Sequence, residues 1–284
     1  MADMMEKFPQ HKVSKFSDVA IHLRIFTPDE ECQEPVMYVH QDDYYVFGFV
    51  ESGECEVLID FQSYKIQAGS VVLIQPGQVH CFVNSLGLSA YLLLIDGAFI
   101  EDKVRQVIAQ YSFTSQIALL ASVHQAELKQ LFSMLSAKKG AITDALSASL
   151  VMHLSLAVVD VIASTMQYGL TQRKCSRRYV ELTQIFRSLL KENVTSKHAP
   201  AFYANKMNVS VIYLNEAVKA ATGNSVTQNI HHEIIVRARR ELVYTNKSVK
   251  EIAVGLGFED YAYFTRIFTR ITGQSPNLFR KNHQ

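Results

Sequence analysis

The last third of the chain repeats itself at an offset of 50 residues, and a chain that repeats a short helical unit has to build that unit twice. Tyr213-Leu214 matches Tyr263-Phe264, Val218 matches Phe268, Thr222-Gly223 matches Thr272-Gly273, and Ser225 matches Ser275. Upstream the register shifts by one residue, so that Ala204 pairs with Ala253, and Met207 takes the place of Gly257. Each copy follows the pattern of a helix-turn-helix. In the second, Ser248 and Glu251 form a capping box, and Ile252, Ala253 and Leu256 give the following helix an inward face. Gly257 ends that helix in a tight turn, Asp260 caps a second helix from Tyr261 to Ile271, and Gly273 terminates it. Between the copies, Ile230, Ile234, Ala238 and Leu242 recur at helical spacing and predict one rigid connector over 228–244. Two such units on one connector can lay two helices in successive major-groove segments, roughly 34 Å apart.

Charge divides the chain at the same place. Residues 173–284 hold 18 Lys and Arg against 8 Asp and Glu, a net of +10, and residues 1–172 hold 10 against 19, a net of −9. The basic third points to a polyanion partner. With 48% hydrophobic and 19% charged residues the composition is globular. The longest apolar stretch, near 145–163, is interrupted by Ser147, Ser149, His153, Ser155 and Asp160, so no membrane span is expected. Residues 1–10 carry Asp3, Glu6 and Lys7 without an apolar core, unlike a signal peptide. Cys32, Cys55, Cys81 and Cys175 lie far apart and read as reduced thiols of a cytoplasmic protein.

Residues 20–100 read as short strands. Runs at 45–50, 56–59 and 70–74 are separated by the turn signals Ser52-Gly53, Ala68-Gly69 and Pro76-Gly77, as in a small sandwich or barrel. From about Asp96 the pattern turns helical over 102–110, 115–137 and 141–168. The last helix carries Leu146, Leu150, His153, Leu154, Ala157, Val158, Val161 and Ile162 on one broad face. Packing on its own barrel would account for part of that face, and a second copy of the chain is the favoured cover for the rest. Gly169 to Arg178 is polar and basic and reads as a linker.

The motif Ile252-Ala253, Gly257-Phe258, Tyr263-Phe264, Arg266, Phe268, Gly273, Ser275-Pro276 and Arg280 resembles the AraC family of bacterial transcription regulators. The first unit resembles it too, with Glu216 and Val218 where the family usually has Arg and Phe. The resemblance implies base-facing residues at Ile212, Asn215 and Glu216 in the first unit, and at Tyr261, Ala262, Thr265 and Arg266 in the second. Side-chain chemistry fits part of this set: Arg266 suits guanine or phosphate, Asn215 adenine, Ala262 or Ile212 a thymine methyl, and Glu216 a cytosine amino group. Tyr213, Leu214, Tyr263, Phe264 and Phe268 read as core. The adjacent His231-His232 pair diverges on a helix and reads as solvated surface.

The strand region resembles the cupin-type sensor domain of that family through Gly69, Pro76-Gly77, His80 and Asn84, with a turn at Glu51-Ser52-Gly53-Glu54. A metal-dependent cupin needs a His-x-His pair and a Glu, and this chain has His40-Gln41-Asp42 followed by tyrosines. A three-ligand site from His40, Asp42 and His80 can be drawn. The incomplete ligand set favours hydrogen-bonded side chains near the barrel mouth, so no metal and no other cofactor is expected. The better expectation is an effector cavity lined by Tyr38, His40, Tyr45, Phe47, Phe49, His80 and Phe82, with Arg24 or Lys65 as a cationic anchor. There is no phosphate-binding glycine loop or nucleophile elbow, and no catalytic residue is assigned.

These observations predict an α+β chain of two domains: an N-terminal cupin-like β-barrel with a following helical dimerisation segment, then an all-α double helix-turn-helix. The expected boundaries are 1–100 for the barrel, 101–168 for dimerisation, 169–178 for the linker and 179–284 for DNA binding, with the two units at about 199–222 and 248–272. The expected function is a cytoplasmic, effector-responsive activator, not an enzyme. Its expected partners are double-stranded DNA, a small-molecule effector, a second copy of the chain and, by family resemblance, RNA polymerase, with no membrane. A regulator controlled by a protein partner is the first alternative, and a metal-dependent cupin enzyme fused to a DNA-binding domain is the second.

Overall fold

The computed structural model describes residues 10–12, 20–28, 39–112, 115–138, 142–171 and 176–283. The chain falls into two compact units, Phe8–Gln172 and Arg173–Gln284.

The first unit is built on eight strands: β1 (Gln10–His11), β2 (Ile21–Phe26), β3 (His40–Asp42), β4 (Tyr45–Ile59), β5 (Gln62–Gln67), β6 (Ser70–Ile74), β7 (Val79–Ile95) and β8 (Ile117–Leu119). β4 and β7, of 15 and 17 residues, pair antiparallel over most of their length and form the spine. β2 and β3 pair with β7, β5 and β6 with β4, β1 with β3, and β8 with β6. Among the described residues these pairings do not close into a ring, so the expected barrel is an open, folded sheet. Closure would need a partner on both edges of every strand, and β1 and β8 each have one.

The expected turn at Glu51–Glu54 is also absent, because β4 runs straight through it with register shifts against β7 on both sides of Ser52. Gly53 (φ 73°) approaches Gly87 so closely that a Cβ would lie 2.2 Å from the Gly87 carbonyl oxygen. Two bulged strands therefore bend together where the sequence signals a reversal.

Alternation along the strands assigns the two faces. Val46, Val50, Cys55, Val57, Val72, Ile74 and Leu94 cluster with Phe26 and Tyr44 on one side. Tyr45, Phe47, Phe49, Val71, Leu73, Leu93 and Ile95 face the other way, into a core shared with α1 (Asp102–Ser112), α2 (Ser122–Ala137) and α3 (Ala145–Thr171). There Phe132 of α2 stacks on Tyr91, ring centroids 4.8 Å apart. The helix expected from residue 115 begins instead as β8, where Ile117–Leu119 adds to β6 and buries Ala118.

α3 seats Ser155, Val158, Val159, Ile162, Ala163 and Met166 at helical spacing and leaves Leu146, Leu150 and Tyr168 exposed. By length and composition alone its residues Ala145–Leu170, of mean hydropathy 1.9, could cross a membrane, and a third of that stretch is buried in the protein. Within the segment expected as a linker, α3 continues through Gly169 to Thr171, residues 172–175 lie outside the described chain, and a helix resumes at Arg177.

The second unit is helical: α4 (Arg177–Asn193), α5 (Pro200–Lys206), α6 (Val211–Thr222), α7 (Val226–Tyr244), α8 (Val249–Gly255), α9 (Tyr261–Thr272) and α10 (Pro276–His283). The repeat is visible bond by bond. Val209 N–H donates to the Ala204 carbonyl at 3.0 Å, and Phe258 N–H to the Ala253 carbonyl at 2.9 Å. Asn208 (φ 51°) and Gly257 (φ 84°) occupy the same left-handed position. The counterpart of Gly257 is therefore Asn208, not Met207, and Glu259 is the extra residue that turns an offset of 49 into 50. The hydroxyls of Thr222 and Thr272 donate back to Val218 and Phe268, while Ser210 and Asp260 cap α6 and α9. α7 opens on a Ser225–Gln228 capping box and buries Ile230, Ile234, Ala238 and Leu242, as their spacing predicts.

Candidate nucleic-acid interface and ligand cavity

α6 and α9 are the second helices of the two units. Leu214, Ala217 and Val218 anchor α6, and Phe264, Ile267 and Phe268 anchor α9, so the opposite faces are left to solvent. Ile212 (74% exposed) and Glu216 stand on the free face of α6, with Lys219 one turn further on. Tyr261, Ala262 and Arg266 stand on that of α9. The Arg266 guanidinium lies 3.7 Å from the Asp260 carboxylate and 5.9 Å above the Tyr263 ring, and stays exposed.

Two expected readers are turned inward. Asn215 Oδ1 accepts the Val226 N–H at 3.1 Å and so caps the start of α7. A bidentate adenine contact needs both ends of the amide, and one end is committed. Its repeat mate Thr265 has a buried Oγ1 without a hydrogen-bond partner. Lys219 was missed by sequence reasoning, although its spacing from Ile212 and Glu216 puts it on their face. Some of the basic charge is structural: Arg280 Nε donates to the Leu242 carbonyl at 2.9 Å, ending α7, and Arg237 pairs with Glu233 at 2.9 Å.

In the sheet-rich unit a cavity opens among the residues of the first face. Arg24, His40, His80 and Phe82 line it as expected, with Tyr44 and Asp42 beside them. About 100 Å³ of it admits water-sized molecules, several times the 10–15 Å³ that one water needs. Phe47 and Phe49, with Tyr45, do not line it; strand alternation turns them into the helix-covered core, where Phe47 and Phe49 are 0% and 2% exposed. Tyr38 lies outside the described residues, and Lys65 is exposed on β5. Burial and the neighbouring Asp42 carboxylate push the Tyr44 phenol far above its ordinary value, so it stays protonated and hydrogen-bonds to Asp42.

Residues 27–155 match the AraC-like ligand binding domain, and residues 203–282 match the helix-turn-helix domain family. The chain belongs to the AraC family of transcription regulators. It is thus a DNA-binding regulator with a ligand-binding domain. It is 26% identical to the HTH-type transcriptional regulator YfiF of Bacillus subtilis (strain 168) over 85% of this chain and 78% of that protein. It is 23% identical to the Msm operon regulatory protein of Streptococcus mutans over 85% and 86%. Among solved structures, ToxT from Vibrio cholerae O395 is similar over 93% of this chain and 98% of its own, at 12% identity and a TM-score of 0.41.

In this AraC-family chain the polar side of the cavity is set by strand register. His11 on β1 lies opposite Asp42 on β3, and His40 on β3 lies opposite His80 on β7. Because His40 and Asp42 are two residues apart, all four side chains share one face. The Asp42 carboxylate, 2% exposed, has His11 Nδ1 at 3.6 Å, His40 Nε2 at 3.8 Å and His80 Nε2 at 3.3 Å. The turn at Pro76-Gly77 fixes one of these rings: Gly77 N–H donates to the Asp42 main-chain carbonyl, and His80 Nδ1 donates to the Gln78 carbonyl at 3.1 Å. His11 was not foreseen, since no local motif announces a parallel pairing across 30 residues.

Proposed function

We propose that this AraC-family regulator is an effector-responsive transcription activator that acts as a homodimer in the cytoplasm and contacts RNA polymerase. The observation that carries the DNA-binding part is the pair of free helix faces, on α6 and α9, presented by two bond-for-bond equivalent units in a domain of net charge +10. Ile212, Glu216 and Lys219 then read one half-site, and Tyr261, Ala262 and Arg266 the other.

The effector reading is supported by a cavity whose walls are apolar and whose polar groups gather around Asp42, with Arg24 as the cation within reach of an anionic ligand. Residues 1–100 form the sensor in this reading, 101–168 the dimerisation segment and 179–284 the DNA-binding domain. The exposed Leu146, Leu150 and Tyr168 of α3 are the surface that a second copy would cover. Occupancy of the cavity acts only through the ligand's different affinity for the active and inactive arrangements.

The test is binding of the full chain, and of residues 173–284 alone, to DNA from upstream of the protein's own gene and its neighbours. A salt series with excess unrelated competitor separates selective from non-specific binding. Selective binding by either polypeptide supports the assignment. Loss of binding to competitor by both overturns these helix faces as base readers.

A further inference from the structure

The three imidazoles around the Asp42 carboxylate stand too far from it for short hydrogen bonds and close enough to share a cation with it. A histidinium–carboxylate hydrogen bond is about 2.7–2.9 Å long. The three imidazole nitrogens here stand 3.3, 3.6 and 3.8 Å from the Asp42 oxygens. Donors held 2.0–2.1 Å from a tetrahedral ion are about 3.3–3.4 Å apart, which is the short end of that range.

Two further observations point the same way. Asp42 Oδ1 is buried without a hydrogen-bond partner, a costly state for a carboxylate oxygen unless something positive meets it. His80 donates its Nδ1 proton to the Gln78 carbonyl, which turns Nε2 toward Asp42. An imidazole oriented by a backbone carbonyl through its other nitrogen is the usual outer support of a metal ligand. The support extends one layer further, since Asp60 accepts from Gln78 Nε2 and from the Val79 N–H and so fixes the loop that carries His80.

We infer that His11, His40, Asp42 and His80 form a binding site for one first-row divalent transition-metal ion of the zinc class. The ligand atoms of His11, His40 and Asp42 all lie within 4.8 Å of one another, and the His40 and His80 rings are 4.2 Å apart between centroids. Three imidazoles and one carboxylate suit zinc and its neighbours and not calcium or magnesium, which take oxygen ligands. Four protein ligands complete a tetrahedral ion, which makes the site structural or sensory. His11 gives it a further property: the ion ties β1, already paired with β3, to the cavity. The inference does not depend on an organic effector, and its test uses metal alone.

Full-length protein, stripped with chelator and dialysed, is titrated with Co²⁺ and then with Zn²⁺. One equivalent of Co²⁺ per chain should develop the intense visible absorption of four-coordinate cobalt, and Zn²⁺ should abolish it. His80→Ala and Asp42→Asn should each weaken Zn²⁺ binding by at least about tenfold, the loss that even an outer support can cause. His11→Ala changes only the two-residue edge strand and leaves the core intact. It should shift the cobalt spectrum toward three protein ligands and water. His153→Ala, on the exposed side of α3, should change nothing. No stoichiometric binding by the wild-type chain, or equal binding by His11→Ala, Asp42→Asn and His80→Ala, overturns the site. DNA binding recorded on the same samples reads the proposed function separately.

Discussion

In the first helix-turn-helix unit the left-handed turn residue is Asn208, and the free face of α6 carries Ile212, Glu216 and Lys219. In the second the turn residue is Gly257, and the free face of α9 carries Ala262, Arg266 and Arg270. The frame between these positions is the same in both. The turn carbonyls of Ala204 and Ala253, the hydroxyls of Thr222 and Thr272, and the closing Gly223 and Gly273 do equal work at equal places. The buried anchors change only in size, from Leu214, Ala217 and Val218 to Phe264, Ile267 and Phe268, whereas the exposed faces change in charge. The glutamate and lysine of α6 offset each other, whereas α9 presents two arginines. A chain with this pattern has two equal supports and two unequal readers, the second attracting phosphate more strongly than the first.

The largest expected effect separates the two turns. Gly257 has φ 84°, and a Cβ there would lie 2.5 Å from the Thr195 carbonyl oxygen, so Gly257→Asn meets both backbone strain and a backbone clash. It should cost about 3 kcal/mol of stability. Asn208→Gly, at φ 51°, meets neither and should stay within about 0.5 kcal/mol of wild type. Urea midpoints at unchanged slope measure both. Equal losses at the two positions would show that the close approach to Thr195 does not set the second turn apart from the first.

That comparison also marks what was legible in the sequence. Helix caps, glycines and buried spacing were readable because each depends on residues within a few positions of one another. Ser248 with Glu251, and Ile230 through Leu242, needed no tertiary information. The turn correspondence was misread by one residue, because Asn208 takes the left-handed position of the first unit and carries no glycine signal. In the sheet, alternation set Val46 and Phe47 on opposite faces but could not say which face the helices would cover. Phe47 and Phe49 were placed in the cavity for that reason. His40 and His80 were found through local motifs. His11 joins them only through the parallel pairing of β1 with β3, and Asn215 and Thr265 turn inward only because α7 and the core lie behind them.

The next effect tests the stronger reader. Arg266→Ala removes the exposed guanidinium on α9 and should weaken binding to the true operator by about 1–3 kcal/mol, or roughly tenfold for each 1.4 kcal/mol. Scrambled DNA of the same length should lose much less. Equal losses on both sequences would reduce Arg266 to a phosphate anchor and leave base readout on α9 to Tyr261 and Ala262.

The smallest effect tests the weaker reader and is seen best in salt dependence. Glu216 stands exposed on α6 at the position where α9 has Arg266, so Glu216→Arg makes the two units electrostatically alike. A new phosphate contact releases about one further counterion, and the slope of log K against log salt should steepen by about 0.9. Non-specific affinity should rise at low salt and converge with wild type as salt screens the added charge. Discrimination between operator and scrambled DNA should fall, because a residue able to accept from a cytosine amino group is replaced by one that serves any sequence. An unchanged slope would mean that Glu216 does not face the duplex. The two units would then differ in position and not only in charge, with α9 alone entering the groove and α6 serving as its support.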